Sequence, residues 1–395
     1  MQTMILRKGA EKRLKQGHLW VYSNEVDVKK TPLKGFGAGE QCLVESHSGQ
    51  FLGVAFVNPN TLICGRLFSR DRKAVFDRSL LAHRLNIALS LRETRFDVPC
   101  YRLVYGDSDG MPGLVIDRFG DDLVVQISIA GMEALKDDIV SVLEKKLKPR
   151  SILVKNDGKM RESEGLESYV EQAVGELQDA ELVENGVQFL APVEQGQKTG
   201  WFYDHRLGRA ALKPYVQGKK VLDLFSYVGG WGVQAAAFGA AEVTCVDSSK
   251  LALDYVHKNA ELNGVQERVS TIEGDVFEVC KALREEGERF DVVIADPPAF
   301  IPRRKDQKAG EVAYQRLNQI AMRLLNKDGL LVSGSCSMHL QEATLLEIVR
   351  KTGRSLEKEL QLIERFPQGP DHPIVPAIPE TNYLKAMFFR VLPQS

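Results

Sequence analysis

The chain has 395 residues and carries 52 Lys and Arg against 53 Asp and Glu, so its formal net charge is −1. A chain of this length is expected to form two or three domains rather than one core. It contains no run of about 18 apolar residues, and its first residues lack the apolar stretch of a signal peptide. These features predict a cytoplasmic protein without a transmembrane helix.

Residues 1–76 alternate short apolar runs with Gly and polar turns, as in 41–44, 51–56 and 62–68. Short strands at such spacing predict a small β-barrel. Basic residues gather near the start of this segment, where Glu11 is the acidic exception among the residues Arg7, Lys8, Lys12, Arg13 and Lys15. They form either an ordinary solvated face or a basic track suited to phosphates, and the sequence leaves both readings open.

Residues 77–185 are expected to form a connecting helix and a small central α+β domain. Apolar residues recur at helical spacing over 77–95, which predicts an amphipathic helix. A strand–turn–strand pattern follows at 114–127, then a helix over 133–146 and a strand over 151–154. This order is typical of an α+β module.

From residue 186 to 395 the pattern is α/β. Strands are predicted at 220–225, 242–246, 269–273, 291–295 and 329–334. Helices are predicted between them at 232–238, 250–263, 276–286 and 311–325. Alternating strands and helices predict a parallel sheet covered on both faces.

Carboxylates and a glycine-rich turn stand where these predicted strands end. Asp223 opens a string that reaches Gly232, Asp247 ends the second strand, and Asp275 ends the third. The carboxyl ends of successive strands converge on one crevice in a doubly wound sheet. Carboxylates without a phosphate-binding GxGxxG turn favour a cationic, hydroxyl-rich ligand such as S-adenosylmethionine over NAD. The alternative is that each aspartate serves a turn or caps a helix.

Asp296 is followed by Pro297 and Pro298, which fix the backbone and remove two N–H donors. The carboxylate could hold a planar, amide-like group, and Phe300 could stack on it. Phe300 could equally be a core aromatic residue.

Cys336 lies at the end of the next strand, between Ser335 and Ser337. A thiolate that adds to C6 of cytosine makes C5 nucleophilic enough to accept a methyl group. A basic or polar setting is expected to favour the thiolate. The other five cysteines show neither CxxC pairs nor metal-ligand spacing, and we interpret them as reduced core residues.

The chain resembles bacterial 23S ribosomal RNA (cytosine-5) methyltransferases with an N-terminal PUA domain. The shared strings are Asp296-Pro-Pro-Ala-Phe300, Ser335-Cys-Ser337, Gln197-Lys-Thr-Gly-Trp-Phe-Tyr-Asp-His-Arg206, Asp371-His-Pro-Ile374, Tyr383-Leu-Lys385, the segment 8–22 and the segment 101–114. The resemblance spans nearly the whole chain. It implies a Rossmann-like methyltransferase domain over 186–395, a PUA-like domain over 1–76, S-adenosyl-L-methionine as cofactor, and 23S ribosomal RNA or a large-subunit precursor as partner.

The resemblance also implies roles for individual residues. Cys336 is the expected nucleophile and Asp296 the acid that orients the base. The expected cofactor contacts are Tyr203, Asp204, Arg206, Asp223, Phe225, Ser226, Gly229, Asp247, Ser248, Asp275, Val276 and Asp296. The expected substrate contacts are Pro297, Pro298, Phe300, Arg303, His372, Lys8, Lys12 and Arg13, with a structural role as the alternative for His372.

One departure from related enzymes is visible. Many RNA cytosine-5 methyltransferases carry a second cysteine after Asp-x-Pro, where this chain has Pro298 and Ala299. Two other functions remain open: methylation of a guanine or other base nitrogen, which needs no thiol, and RNA binding without catalysis. The sequence allows a homodimer without establishing one.

Overall fold

The computed structural model describes residues 1–394. Their contacts divide the chain into two units. The first unit holds Met1–Ala180, Pro192–Trp201 and Pro370–Thr381, and the second holds Glu181–Ala191, Phe202–Gly369 and the residues from Asn382 onward. Over the described residues, no helix has both the length and the apolar character needed to cross a bilayer.

The first unit begins with a five-stranded sheet that contains the predicted short strands. Its elements are β1 (Thr3–Ile5), α1 (Glu11–Lys15), β2 (Trp20–Tyr22), β3 (Gln41–Glu45), β4 (Phe51–Val57) and β5 (Ile63–Ser69). The strand order is β1-β3-β4-β5-β2, with β1 parallel to β3 and the other pairs antiparallel. Met4, Val21, Val44 and Leu67 fill the core beneath it.

A second five-stranded sheet follows in the same unit. Its elements are α2 (Arg78–Arg95), β6 (Cys100–Tyr105), β7 (Leu114–Phe119), β8 (Asp122–Ile127), α3 (Ala130–Glu133), α4 (Lys136–Leu147), β9 (Ser151–Asn156), α5 (Met160–Glu164) and β10 (Tyr169–Val174). The Asp77 side chain caps α2 by accepting from the backbone N–H of Leu80 at 2.9 Å. The predicted hairpin is confirmed, because β7 and β8 pair antiparallel throughout. Leu85 of α2 packs in one core with Phe56 and Ile116, so both sheets share apolar contacts.

The second unit is built on a seven-stranded sheet. Its elements are β11 (Ala180–Glu184), β12 (Val187–Ala191), α6 (Arg206–Ala211), α7 (Lys213–Val216), β13 (Lys220–Leu224), α8 (Gly232–Ala237), β14 (Glu242–Asp247), α9 (Lys250–Leu262), β15 (Val269–Glu273), α10 (Val276–Glu285), β16 (Phe290–Ala295), α11 (Gln307–Leu324), β17 (Leu325–Ser335), α12 (Glu342–Ser355), β18 (Lys358–Phe366) and β19 (Lys385–Pro393). β11 and β12 form a separate two-stranded sheet. The five predicted strands and four predicted helices of this segment are confirmed, with ends that shift by up to four residues.

The five predicted strands pair parallel, as expected, but two strands that were not predicted, β18 and β19, add a mixed edge to the sheet. The order is β15-β14-β13-β16-β17-β19-β18, and β19 runs antiparallel to both β17 and β18. The last helix, α12, is followed by β18, and no second crossover helix precedes β19. The chain therefore returns between β17 and β18 and runs antiparallel to both, a pairing that needs no crossover helix.

The strand order reverses next to β13. The chain passes from β13 outward to β14 and β15, then returns to place β16 on the other side of β13. Helices on opposite sides of such a reversal diverge, which leaves a crevice at the carboxyl ends of the two central strands. Residues that follow β13 and β16 therefore face a natural ligand site.

Gly232, at the start of α8, allows this helix to approach the sheet. A Cβ built on it would lie 2.5 Å from Cys245 Sγ and 3.0 Å from Asp223 Oδ2. We expect Gly232→Ala to lower the free energy of unfolding by about 1–3 kcal/mol, since overpacking forces neighbours to shift. Urea unfolding followed by circular dichroism measures this.

Gly158→Ala is the matched control. A Cβ there would meet no atom within 4 Å, and its backbone lies outside the left-handed region. Equal unfolding free energies for the two variants would contradict the close approach at Gly232.

Candidate active site

The turn after β13 has a backbone that side chains rarely adopt. Phe225, Tyr227 and Gly229 have φ angles of +60°, +48° and +86°. The turn is closed by the backbone N–H of Gly229, which donates to Ser226 O at 2.9 Å. Residues with φ above zero cost free energy and gather at functional sites. The unusual backbone of this loop is therefore typical of a segment that holds a ligand close to the main chain.

Asp223 lies fully buried beneath this loop. Its Oδ2 accepts from the backbone N–H of Gly232 at 2.8 Å, while Oδ1 has no hydrogen-bond partner among residues 1–394. Burial, with repulsion from Asp296 and Asp247, holds the pKa of Asp223 well above its ordinary value. A positively charged ligand nearby would relieve this repulsion.

Asp247 ends β14 and accepts backbone hydrogen bonds from the turn after β13 and from the loop after its own strand. Its Oδ2 accepts from the N–H of Tyr227 and its Oδ1 from the N–H of Ser249, both at 2.9 Å. Ser248 lies beside it and is exposed. A carboxylate can accept about four hydrogen bonds, so Asp247 keeps acceptor capacity for hydroxyl groups.

Asp275 is the N-cap of α10. Its Oδ1 accepts from the N–H groups of Phe277 and Glu278 at 2.9 and 3.2 Å. The side chain remains exposed, while Val276 is buried. The capping contact agrees with the structural alternative, and the exposed carboxylate keeps a second oxygen.

The segment before α6 is anchored by polar contacts. Asp204 Oδ2 accepts from the Tyr383 hydroxyl at 2.6 Å. The Arg206 guanidinium lies 5.0 Å from the centroid of the Tyr203 ring. All three predicted residues of this segment are buried, so their positions are fixed before any ligand binds.

Asp296 follows β16 and is held by two rings. Trp231 Nε1 donates to its Oδ2 at 3.0 Å, and His205 Nε2 lies 3.0 Å from its Oδ1. Burial alone would lower the pKa of His205, but the carboxylates of Asp296 and Asp204 raise it above its ordinary value. The side chain of Asp296 keeps 18% of its surface exposed. The carboxylate is therefore fixed in direction and still reachable by a ligand.

Cys336 lies at the adjoining strand end. Ala295 of β16 pairs with Ser333 of β17, which brings the residues after each strand side by side. Cys336 Sγ lies 4.0 Å from the carbonyl oxygen of Pro297. Gly334 lets the two segments meet, because a Cβ there would lie 3.0 Å from Asp296 Oδ1. The predicted nucleophile and the predicted base-orienting acid are thus brought together.

Burial separates Cys336 from the other five cysteines. It is partly exposed, and the other five are buried. Burial raises the pKa of Cys42, Cys64 and Cys280 to about 12, and that of Cys245 well above its ordinary value. A reactive thiol needs both access and ionisation.

The predicted substrate contacts near the thiol differ in how far they are exposed to solvent. Pro297 is buried and Pro298 exposed. The Phe300 ring lies 5.0 Å from Tyr314 and 6.3 Å from Phe225, as a core aromatic residue would. Arg303 is exposed and donates to Asp306 at 2.9 Å.

The remaining predicted contacts belong to the first unit. Lys8 and Lys12 are exposed beside or on α1, and Arg13 donates to Glu25 at 2.6 Å. His372 is buried, with Nδ1 3.0 Å from Asp371 Oδ1 and its ring 5.0 Å from that of Tyr105. These contacts favour the structural alternative for His372.

The comparison with known proteins agrees with this geometry. The pattern of the S-adenosylmethionine-dependent methyltransferase family matches residues 161–390, and that of the PUA-like domain matches residues 4–70. The chain belongs to the S-adenosylmethionine-dependent methyltransferase family. The predicted fold class is confirmed, and S-adenosylmethionine is the cofactor of this methyltransferase.

Two curated relatives match nearly end to end. Ribosomal RNA large subunit methyltransferase I of Klebsiella pneumoniae (strain 342) is 35% identical over 395 residues, covering 98% of each chain. The protein of the same name from Erwinia tasmaniensis is 35% identical over 398 residues, covering 98% of this chain and 99% of its own. The crystal structure of SMU.776 complexed with SAH superposes with a TM-score of 0.85 at 22% identity, covering 99% of this chain and 100% of its own.

The residues at the crevice fit this cofactor. Its sulfonium and ammonium groups are cationic, and Asp223 offers a buried carboxylate oxygen without a partner in the described chain. Asp247 stands at the end of β14 with acceptor capacity for ribose hydroxyls. The turn at 225–229, with its positive φ angles, follows β13 at the same end of the sheet.

Sequence reasoning missed several residues of this site. His205 lies within a string that the family resemblance includes, but its pairing with Asp296 depends on distant segments. Trp231 and Tyr314 are likewise far from their partners in sequence. Their aromatic character gave no signal beyond core packing.

We expect Asp247→Ala to weaken S-adenosylmethionine binding at least about tenfold, because a hydrogen bond to a charged acceptor contributes about 1.5–3 kcal/mol. Isothermal calorimetry measures the affinity. Asp254→Ala is the control, since this exposed residue of α9 pairs with Lys250 at 3.1 Å and lies outside the crevice set. Unchanged affinity in Asp247→Ala would remove this residue from the cofactor site.

Proposed function

We propose that this methyltransferase acts on ribosomal RNA of the large subunit and transfers a methyl group to C5 of a cytosine in 23S ribosomal RNA. The single observation that carries this proposal is the position of Cys336. Its side chain is partly exposed, and its Sγ lies 4.0 Å from the carbonyl oxygen of Pro297, the residue that follows Asp296. The names of the curated relatives support the RNA class.

The proposed reaction begins with the thiolate. Cys336 Sγ attacks C6 of the cytosine, and the electrons of the C5–C6 double bond make C5 nucleophilic. Asp296 orients the base through its N3 and N4 edge and shares a proton with N3 as negative charge builds there. The fixed directions of Trp231 and His205 keep the carboxylate in place during this step.

The cofactor supplies an electrophilic methyl group on sulfur. C5 bonds to this methyl as the sulfur–methyl bond breaks, and the sulfur keeps the electron pair as a neutral thioether. The C5 proton then leaves to a base, the C5–C6 double bond re-forms, the bond from C6 to Sγ breaks, and N3 returns its proton to Asp296. Cys336 returns as a thiolate. No cysteine follows Asp296-Pro297-Pro298, so we propose that product release proceeds without a second thiol.

The N-terminal unit is proposed to dock the RNA. Lys8 and Lys12 are exposed and project positive charge near α1, and Arg13 stacks 4.8 Å from the Tyr22 ring centroid. Exposed lysine and arginine side chains bind backbone phosphates of RNA whatever the nucleotide sequence.

Cys336→Ala is expected to abolish turnover while leaving S-adenosylmethionine affinity within about twofold, since the nucleophile is lost and the crevice is kept. RNA containing 5-fluorocytidine should trap wild-type protein as a covalent adduct, because fluorine replaces the proton that must leave. A denaturing gel shows the adduct as a shifted band.

Cys280→Ala is the control and should still form the adduct, because that thiol is buried. Methylation by Cys336→Ala at near wild-type rate would overturn the cytosine-5 mechanism. Transfer to a base nitrogen, which needs no thiol, would then take its place.

Replacing Lys8 and Lys12 together by Gln should weaken RNA binding and reduce the slope of log affinity against log salt by about one to two. Each phosphate contact that is lost means that about one counterion fewer is released when RNA binds. Filter binding over a salt series measures this slope. The charge-matched control replaces the exposed Lys29 and Lys34 by Gln. Equal slopes for the two double variants would assign the RNA contact to another surface.

A further inference from the structure

Lys385 is a buried lysine at the start of β19. It pairs with Ser335 in the register of β17 and β19, one residue before Cys336. Its Nζ donates to the carbonyl oxygens of Ser337 and Leu340 at 2.7 and 2.5 Å. The ammonium therefore holds the segment that follows the thiol.

The surroundings of Lys385 contain few opposite charges. Burial lowers its pKa to about 8, and only Cys336 and then Glu342 oppose that shift. Glu342 begins α12 and is itself paired with Arg365 at 2.9 Å. Burying a lysine is costly unless its charge has a partner. Cys336 is the larger of the two influences that oppose the lowering of the Lys385 pKa.

The same segment is fixed from its other side by Tyr314 of α11. Its hydroxyl lies 2.8 Å from Ser335 Oγ and 2.8 Å from Ser337 Oγ. Ser337 Oγ also accepts from the N–H of Ile301 at 3.3 Å. Burial raises the pKa of Tyr314, so it stays neutral and can both donate and accept. Both neighbours of Cys336 are thus locked, and the thiol keeps its partial exposure.

We propose that Lys385 is a positioning residue whose ammonium favours the thiolate form of Cys336 and fixes residues 337–340 behind it. This role rests on the proposed function, in which Cys336 attacks C6. The charge stabilises the sulfur as an anion before attack and again when the bond to C6 breaks. Lys385 exchanges no proton in either step, because the thiol proton leaves to solvent.

The test measures alkylation of Cys336 by iodoacetamide in the full chain without RNA, across pH, with peptide mass spectrometry to identify the modified cysteine. Lys385→Gln removes the charge but keeps an amide that can donate to the same carbonyls. We expect alkylation at pH 7 to slow about tenfold and its midpoint to rise by about one pH unit, since one unit is a tenfold change. The difference should shrink above pH 8, where Lys385 itself loses its charge.

Lys385→Arg keeps the charge and should keep the wild-type midpoint. Lys351→Met is the control, because that lysine is 65% exposed on α12. Should Lys385→Gln fail to fold, as judged by circular dichroism, the midpoint of Lys385→Arg decides, and a rise of one unit there overturns the proposal. A folded Lys385→Gln with an unmoved midpoint also overturns it, because a purely structural lysine would change stability and not the alkylation profile.

Failure here is distinguishable from failure of the proposed function. An adduct on 5-fluorocytidine RNA with an unmoved alkylation midpoint removes only the role of Lys385. Methylation by Cys336→Ala removes the cytosine-5 mechanism, even where the midpoint shifts as expected.

Discussion

Strand β13 has β14 on one side and β16 on the other, and this reversal fixes where every ligand-facing group in the second unit lies. The turn after β13 and the carboxylates after β14 and β16 are carried to one end of the sheet by the parallel pairing. The thiol after β17 follows because β17 continues the same direction beside β16. Removing the reversal would leave these groups on separate loops, with no crevice between the helices.

The crevice concentrates negative charge in a buried place. Burial, with additional repulsion from Asp296 and Asp247, raises the pKa of Asp223 well above its ordinary value. A carboxyl group whose folded pKa is raised stabilises the fold at low pH and loses that contribution as pH rises toward the raised pKa. A cationic cofactor nearby would stabilise the ionised form of this buried carboxyl group. This coupling favours a sulfonium compound over a phosphate-bearing one at the same strand ends.

Asp296 is held by direct contacts to its carboxylate, whereas Cys336 is positioned through contacts to its neighbours in the chain. The indole N–H of Trp231 and the imidazole of His205 hold the Asp296 carboxylate in one orientation. They leave part of its hydrogen-bond acceptor capacity for a ligand. Cys336 is held through its neighbours: the hydroxyls of Ser335 and Ser337 meet Tyr314, and the carbonyl of Ser337 meets Lys385. The sulfur itself is left partly exposed, as a nucleophile that must reach a base requires.

The sequence by itself determined the elements and the chemistry at their ends. Continuous apolar runs at β13 and β16 predict buried parallel strands, and the aspartates and the cysteine that follow them predict a methyl-transfer site. Periodicity also placed α2 and the hairpin of β7 and β8. Such signals are local, because they depend on residues a few positions apart.

Only the tertiary structure decided which residues support the site and which sit elsewhere. The antiparallel pairing of β19 brings Lys385 beside Cys336 across 49 positions of sequence, and the turn before α6 places His205 Nε2 3.0 Å from Asp296 Oδ1. No local pattern encodes such pairs, because a buried lysine or histidine gains its role from the groups packed against it. His372 illustrates the converse: its motif suggested a substrate contact, and its burial against Asp371 and Tyr105 in the first unit favours a structural role. Composition and spacing predict a set of candidate site residues, and their burial and their neighbours in the fold decide which of them lie in the site.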